Sequence, residues 1–222
     1  MCGRYTLHHS PEQIAMRFNV QQMVAEPSER YNIAPTQPVA VVVETPDTRV
    51  LDAYKWGLIP AWAKEPGIAN KLINARAETL AEKPSFKQAL LKRRCLIPGD
   101  GFYEWKRLDE KNRQPMHIRR KDGDLYAFAG LWEVWKQEDG TPLHTVTIIT
   151  TGPNELMLSI HNRMPAILRP EEEAAWLDPA HQDIPGLLAL LKPYPDDWLE
   201  AFPVSKRVNA PVVDDPALLN SL

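Results

Sequence analysis

Residues 125–135 (LYAFAGLWEVW) and residues 145–151 (TVTIITT) are the clearest strand sequences in this chain. Both are enriched in β-branched and aromatic residues, which fit the pleated, half-buried surface of a sheet. Residues 39–44, rich in valine, and residues 50–59 have the same character. A series of strands with few helices is typical of a curved or barrel-like antiparallel sheet. We therefore expect an α+β fold with a curved, antiparallel, β-barrel-like core and peripheral helices.

Shorter signals complete the predicted fold. Gly99-Asp100-Gly101 predicts a turn between strands at 94–98 and 102–106. Ser10-Pro11-Glu12-Gln13 combines an N-cap, a proline at the first helical position and a capping-box glutamine, and it predicts a helix to about Phe18. The remaining predicted elements are strands at 1–7 and 116–120, a loop from Pro27 to Pro38, and helices at 85–92, after Pro170 and at 184–191.

Composition limits the class of protein. The chain has 222 residues, 44% of them hydrophobic, and a formal net charge of -3, so a generally basic nucleic-acid coat is excluded and any nucleic-acid site must be a local patch. No apolar run approaches the roughly 18 residues that span a bilayer, and the N-terminus has no apolar signal core. We expect no membrane partner and a cytoplasmic location, associated with the nucleoid if the protein is bacterial.

Cys2 is the residue with the most distinctive chemistry. If Met1 is removed, Cys2 carries an α-amine and a thiol on adjacent carbons, and both titrate close enough to neutral pH to react there. The amine can condense with an aldehyde to a Schiff base, and the thiol can then close a five-membered thiazolidine ring. The alternative is that Cys2 is an ordinary N-terminal residue packed under the sheet.

Several separated motifs resemble those of one family. They are MCGR at 1–4, YNIAP at 31–35, WGLIP at 56–60, INARAET at 73–79, PGDGFYEW at 98–105, IHNRMP at 160–165, and Val204-Ser205 with Val208-Asn209. In order and number they resemble the SRAP (SOS response-associated peptidase) family of abasic-site processing proteins. The resemblance covers almost the whole chain and implies a single domain over residues 1–222.

The resemblance also implies an activity and a site. It implies a covalent crosslink between Cys2 and abasic sites in single-stranded DNA, and a peptidase-like self-processing that exposes Cys2. By position, Asn74, Glu104 and His161 match the other active-site residues of the family, and Arg76 matches a phosphate-contacting arginine. Some relatives carry two adjacent tryptophans where this chain has Trp62-Ala63, so the resemblance does not imply how bases are wedged apart here.

The chemistry of these residue types fits those roles. The Asn74 amide can donate and accept hydrogen bonds to a sugar hydroxyl or to the Cys2 amine, although a turn asparagine is the alternative. Glu104 can exchange protons with that amine or with the sugar ring oxygen, and His161 can act as acid or base near neutral pH. Arg76 can bind a phosphate bidentately or can pair with Glu78.

Structural alternatives remain open for the charged residues. Glu104 could form a salt bridge with Lys106 or Arg94. The basic run Lys87, Lys92, Arg93 and Arg94 could be a solvated face, or a groove that follows a DNA backbone beside Trp62 and Trp105. We assign Arg4, Arg76, Trp62 and Lys87 as the predicted DNA-binding residues.

No metal or cofactor is predicted. Cys2 and Cys95 are too few for a disulfide scaffold, and Cys95 lies in an apolar segment that predicts a buried strand cysteine. We interpret His8 and His9 as surface residues, and His117, His144 and His181 lack the spacing of metal ligands. We expect a monomer whose partner is single-stranded DNA containing abasic sites.

Two other functions stay open at this stage. An N-terminal-nucleophile amidohydrolase also uses Cys-Gly at its N-terminus, with the α-amine as the base that activates the thiol. A non-catalytic single-strand binder would use the basic and aromatic residues alone.

Overall fold

A computed structural model describes residues 2–222 of the chain. Its strands are Tyr5–Leu7 (β1), Gln22–Met23 (β2), Arg30–Ile33 (β3), Pro38–Glu44 (β4), Arg49–Trp56 (β5), Asn74–Arg76 (β6), Arg94–Gly99 (β7), Gly101–Arg107 (β8), Arg113–Arg120 (β9), Tyr126–Lys136 (β10), Pro142–Thr151 (β11), Met164–Pro165 (β12), Ile167–Leu168 (β13) and Leu199–Pro203 (β14). Its α-helices are Pro11–Arg17 (α1), Pro84–Lys92 (α2), Glu155–Leu158 (α3), Pro170–Leu177 (α4) and Ile184–Ala189 (α5). Short 3-10 helices lie at Pro66–Lys71, Ala77–Thr79, Asp196–Trp198, Lys206–Asn209 and Pro216–Leu219.

A closed ring of five strands forms the centre of the fold. β10 pairs antiparallel with β11 and β7, and β4 pairs antiparallel with β7 and β5. A parallel pairing of β5 with β11, with Val146 opposite Trp56, closes the ring. The predicted α+β class with a barrel-like core is confirmed. The closing contact differs from the antiparallel expectation because long connections separate β5 from β11, and such connections permit parallel pairing.

A second, five-stranded sheet lies beside the ring in the order β14-β9-β8-β1-β3. The predicted turn at Gly99-Asp100-Gly101 is present, but the strands on its two sides belong to different sheets. Gly101 must lack a side chain, because a Cβ atom there would lie 2.1 Å from Nε2 of His117. The turn therefore carries the chain from the ring to the second sheet.

Aromatic rings join the two sheets. Tyr5 packs edge-on against Trp56 and Phe128, with ring centroids 5.5 Å apart in both pairs. Phe128 also meets Phe102 and Tyr126 in edge-to-face contacts. All five rings are buried, and such pairs contribute about 0.5–1.5 kcal/mol each beyond the burial of their area.

The predicted helices are confirmed with small differences in their ends. The capping box is formed by Ser10 and Gln13 at the start of α1, and α5 ends at Ala189 rather than Leu191. The predicted loop from Pro27 to Pro38 is wrong in part, because β3 lies within it and pairs with β1. Among residues 2–222, no helix is long and apolar enough to cross a bilayer.

Arg94 fixes the helices against the ring. Its side chain is 5% exposed and donates hydrogen bonds to the main-chain oxygens of Trp176, Leu90, Leu91, Asp178 and His181. Four of these oxygens lie at the C-terminal ends of α2 and α4, where helices leave carbonyl groups unsatisfied, and the oxygen of His181 lies in the loop after α4. One guanidinium group therefore satisfies the ends of both helices.

We predict that Arg94→Lys lowers the free energy of unfolding by about 3 kcal/mol, because one ammonium group cannot reach both helix ends and buried acceptors left unpaired cost about 1–3 kcal/mol each. Urea denaturation measures the change. The exposed Arg113→Lys is the matched control, with an expected effect within about 0.5 kcal/mol. Equal stabilities for the two variants would contradict this role of Arg94.

Candidate active site

The N-terminal segment places Cys2 beside Glu104. β1 runs antiparallel to β8, with Tyr5 opposite Phe102, and the Tyr103 amide donates to the Arg4 carbonyl over 2.9 Å. Continuing this register sets Gly3 opposite Glu104 and Cys2 opposite Trp105, one position further along β8. Cys2 and Glu104 are close enough for the charge of the carboxylate to act on the thiol. Cys2 is fully buried, and Glu104 is 3% exposed.

Burial controls the protonation of the Cys2 thiol. Burial and then the charge of Glu104 raise the pKa of the thiol to about 12, against a smaller opposing effect of a backbone hydrogen bond at Arg4. The thiol is therefore neutral at pH 7 in this structure. A neutral thiol is a poor first nucleophile, since the thiolate is the reactive form.

Two buried phenol groups lie in electrostatic range of Cys2. The pKa values of Tyr5 and Tyr126 are both raised, mainly by burial and in part by Cys2. Within residues 2–222 neither hydroxyl group has a hydrogen-bond partner. Buried hydroxyl groups are usually paired, so these two are available to a bound ligand or water. No motif in the sequence singled out these two tyrosines.

Asn74 enters the site on β6, which pairs in parallel with β11. Its Nδ2 lies 3.4 Å from the Ile148 carbonyl oxygen, whereas its buried Oδ1 accepts no hydrogen bond from the described part of the chain. Trp56 connects Asn74 to the N-terminal segment: its indole donates to the Ile73 carbonyl over 2.8 Å, and its ring packs on Tyr5. Asn74 therefore presents an unused acceptor close to the end of β11.

His161 is oriented at the same end of β11. Nδ1 of His161 lies 3.1 Å from the Arg163 amide nitrogen and 3.3 Å from the Arg163 carbonyl oxygen, and these contacts orient the ring. Arg163 binds Glu78 through two hydrogen bonds of 2.6 and 3.0 Å and donates to the Thr150 carbonyl over 2.6 Å. These bonds fix the loop that carries His161 against β11.

Arg76 lies opposite Thr150 on the parallel β6 and is exposed. The alternative in which Arg76 pairs with Glu78 is not what the structure shows, because the Glu78 carboxylate binds Arg163. The hydrogen bonds from Arg163, with a smaller effect of Arg76, lower the pKa of Glu78. The guanidinium of Arg76 is thus positioned at the surface, beside the segment that carries His161.

Arg4 is held inside the protein. Its Nη1 donates to Oδ1 of Asn32 over 2.7 Å and to the Val208 carbonyl over 2.6 Å, and its guanidinium lies 5.8 Å from the centre of the Trp105 ring. These contacts fasten the segment next to Cys2 to the C-terminal 3-10 helix at Lys206–Asn209. The guanidinium group of Arg4 is used in these contacts, so the predicted binding of Arg4 to DNA would require some of them to be given up.

The predicted basic groove is wrong for two of its four members. Arg94 is buried against helix carbonyl groups, and Arg93 pairs with Glu133 over 2.8 Å. The side chains of Lys87 and Lys92 are exposed on α2. The guanidinium group of Arg94 binds the helix carbonyl groups. This removes the salt bridge with Arg94 as a structural alternative for Glu104.

The remaining sequence predictions concern exposure and burial. Trp62 is 61% exposed, as a stacking surface requires, and Cys95 is fully buried in β7 as predicted. Trp105 is half-buried and donates to Oδ1 of Asn209 over 2.8 Å. The roles of Cys2, Asn74, Glu104, His161 and the DNA-contacting residues stay predictions.

Comparisons with known proteins agree on one family. The family model of the SOS response associated peptidase (SRAP) matches residues 1–211. The chain is 50% identical over 225 residues to the abasic site processing protein YoqW of Bacillus subtilis, with all of both chains covered. It is 46% identical over 223 residues to the abasic site processing protein YoaM of the same organism, covering 100% of this chain and 98% of YoaM. A crystal structure of a protein from Bacteroides thetaiotaomicron superposes with a TM-score of 0.90 and 28% identity over all of both chains.

We predict that Cys2 alkylates slowly in protein whose intact mass shows that Met1 is retained. At pH 8 its thiolate fraction should be about 1,000-fold below that of a free cysteine, and the rate should rise about tenfold per pH unit. Mass spectrometry of iodoacetamide labelling in a Cys95→Ser background measures the rate. Labelling at the rate of an unfolded control would contradict the buried, neutral thiol.

Proposed function

Because the chain belongs to the SOS response associated peptidase family of abasic site processing proteins, we propose that it bonds covalently through Cys2 to abasic sites in single-stranded DNA. The observation that carries this proposal is the burial of Cys2 beside Glu104 at the start of β1. The family resemblance seen in the motifs is confirmed. We further propose that the protein acts as a monomer in the cytoplasm.

The proposed reaction begins with the amine, because the thiol is neutral. Removal of Met1 frees the α-amine of Cys2, which attacks C1′ of the open-chain abasic sugar. A proton moves from nitrogen to oxygen, the resulting hydroxyl group leaves as water, and a C=N bond forms. The Cys2 sulfur then bonds to C1′ while the thiol proton passes to nitrogen. The product is a thiazolidine, formed with the net loss of one water.

Glu104 is the proposed proton carrier for these steps. Its buried carboxylate accepts a proton from the Cys2 ammonium group and returns one to the sugar oxygen, which assists ring opening and the departure of water. An ionised carboxylate that kept the proton on nitrogen would suppress the reaction, so the role requires the proton to be passed on. The raised pKa of the thiol fits an order in which sulfur adds last.

Asn74 and His161 are proposed to bind the sugar and to protonate its departing oxygen. The unused Oδ1 of Asn74 accepts from a sugar hydroxyl group, and the His161 ring donates a proton to the departing oxygen. The hydroxyl groups of Tyr5 and Tyr126 supply further donors near Cys2. Together these groups would replace the water that hydrates the sugar in solution.

The exposed residues are proposed to hold the DNA strand. Arg76 and Lys87 contact phosphate groups, and Trp62 offers a flat apolar surface on which a base can stack. With a net charge of -3 the binding depends on these local contacts rather than on the overall field.

Crosslinking to abasic single-stranded DNA tests the proposal directly. Protein lacking Met1 should form an adduct that survives denaturing electrophoresis, and Cys2→Ala should form none. Cys95→Ser is the matched control and should crosslink like the wild type, because Cys95 is buried in β7. A wild-type protein that binds abasic and intact DNA equally, with no adduct, would show a non-covalent binder instead.

We predict that Glu104→Gln slows crosslinking by about 100-fold, because the amide cannot carry a proton, and that it alters the pH dependence of the rate. Single-turnover crosslinking from pH 5 to 8.5 measures both. The exposed Glu110→Gln is the control and should keep the wild-type rate at each pH. A uniform small decrease with an unchanged pH profile would assign Glu104 a structural role.

Self-processing is the second proposed activity. Hydrolysis of the Met1–Cys2 peptide bond consumes one water and releases methionine with the Cys2 amine. Protein translated in vitro without methionine aminopeptidase should lose the mass of one methionyl residue with time, and Cys2→Ala should lose it more slowly or not at all. Stable retention of Met1 in the wild type would contradict self-processing, whereas crosslinking could still be tested after enzymatic removal of Met1.

A further inference from the structure

A cluster of metal-ligating side chains lies at the opposite end of β1 from Cys2. Oδ2 of Asp100 is 3.0 Å from Nδ1 of His8 and 2.9 Å from Nδ1 of His9. Asp100 is 2% exposed. His8 and His9, predicted as surface residues, are both partly exposed, but their rings also contact one buried carboxylate.

We propose that His8, His9 and Asp100 form a binding site for one divalent transition-metal cation of the zinc class. The three donor atoms lie within 4.8 Å of one another, and two nitrogens with one carboxylate oxygen form a set that zinc prefers. Bonds of about 2.0–2.2 Å in tetrahedral geometry separate donor atoms by about 3.3 Å. The observed separations of 2.9 and 3.0 Å come close to that value without movement of the backbone.

The carboxylate is already oriented for this role. Its Oδ1 accepts from the Thr6 hydroxyl group over 2.6 Å, and its Oδ2 accepts from the His8 amide over 2.6 Å. Oδ1 keeps lone-pair capacity for a further partner, whereas Oδ2 also bonds to Nδ1 of His9 over 2.9 Å, a contact that a metal ion would replace. Such outer hydrogen bonds are typical of carboxylates that bind metals, because they fix the direction of the ligating oxygen.

Nδ1 of His9 is hydrogen-bonded to Oδ2 of Asp100 over 2.9 Å, and a bound cation would replace the shared proton. Nδ1 of His8 is buried at the atom level and lies 3.0 Å from Oδ2, but it is not aligned as a hydrogen bond. A cation bound at this point would attract both Nδ1 of His8 and Oδ2 of Asp100. The side chains of His8 and His9 are 34% and 18% exposed, so an ion and a coordinating water can enter from solvent.

A buried histidine lies behind the cluster and supports a polar site. His117 is 1% exposed, and within residues 2–222 neither of its ring nitrogens has a hydrogen-bond partner. Its Nε2 lies against Gly101 and near the Thr6 hydroxyl group that binds Asp100. Unpaired buried polar atoms are rare, and here they accompany the same carboxylate.

Metal binding would fasten the two strands that carry the candidate active site. His8 and His9 follow β1, which begins next to Cys2, and Asp100 precedes β8, which carries Glu104. A bound ion would link the far ends of these strands without touching Cys2. The proposed site is therefore independent of the crosslinking chemistry.

Titration of the whole protein with Zn²⁺ tests the proposal. We expect saturable binding of one ion by calorimetry, and a melting temperature raised by about 5 °C or more at a 100-fold excess over the dissociation constant. Cobalt(II) should give an absorption spectrum of nitrogen and oxygen ligands, without a thiolate charge-transfer band. Absence of binding in the wild type would overturn the proposal.

Three variants separate this site from other ligands in the chain. His9→Gln keeps a side-chain donor for Asp100 but coordinates metal poorly, so it should fold and bind Zn²⁺ at least tenfold more weakly. His144→Gln and Cys2→Ser should bind like the wild type, because both residues lie outside the cluster. Unchanged binding in His9→Gln, or loss of binding in Cys2→Ser, would overturn the assignment and move the ion elsewhere.

Discussion

The pairing of β1 with β8 is the contact on which the candidate site depends. It carries Cys2 out of solvent and sets it beside a buried carboxylate, Glu104. Burial keeps the thiol protonated, so in the proposed reaction the α-amine takes the first chemical step and sulfur closes the ring. The same pairing brings Thr6 against Gly101, where a side chain would collide with His117. A shift of one residue along β8 would turn the side chains of β1 to the opposite face and remove the site.

The other candidate-site residues, Asn74, Arg76 and His161, lie on segments that contact β11. Its parallel neighbour β6 carries Asn74 and Arg76, and its far end binds Arg163, which orients His161. β11 thus brings residues 74–76 and 161–163, which are distant in sequence, to one end of the same strand. Trp56 joins Asn74 to the N-terminal segment, since it packs on Tyr5 and donates to the carbonyl before Asn74.

Residue types that act on close neighbours in the sequence predicted the main helices and strands. The β-branched composition of β10 and β11, and the capping box at Ser10, depend on neighbours close in sequence, and both are present in the structure. The parallel closure of β5 on β11 could not be predicted in this way, because a pairing between distant segments leaves no local pattern. The short β3 was missed for the same reason, since its strand exists through its pairing with β1.

The candidate site shows the same limit. The motifs pointed to Cys2, Asn74, Glu104 and His161 by resemblance, whereas the unpaired hydroxyl groups of Tyr5 and Tyr126 appear only when the fold buries them. The run of basic residues, in contrast, led to a wrong prediction of exposure. Arg93 and Arg94 read as surface residues by composition, but the ends of α2 and α4 need a buried donor, and Glu133 needs a partner.

The intact mass of the protein after exposure to abasic single-stranded DNA tests the central claim most directly. Amine attack followed by ring closure predicts a mass equal to the protein without Met1 plus the DNA strand minus one water, with the added mass mapped to Cys2. An unchanged mass, or an adduct mapped to a lysine side chain, would contradict the account of Cys2 as the nucleophile.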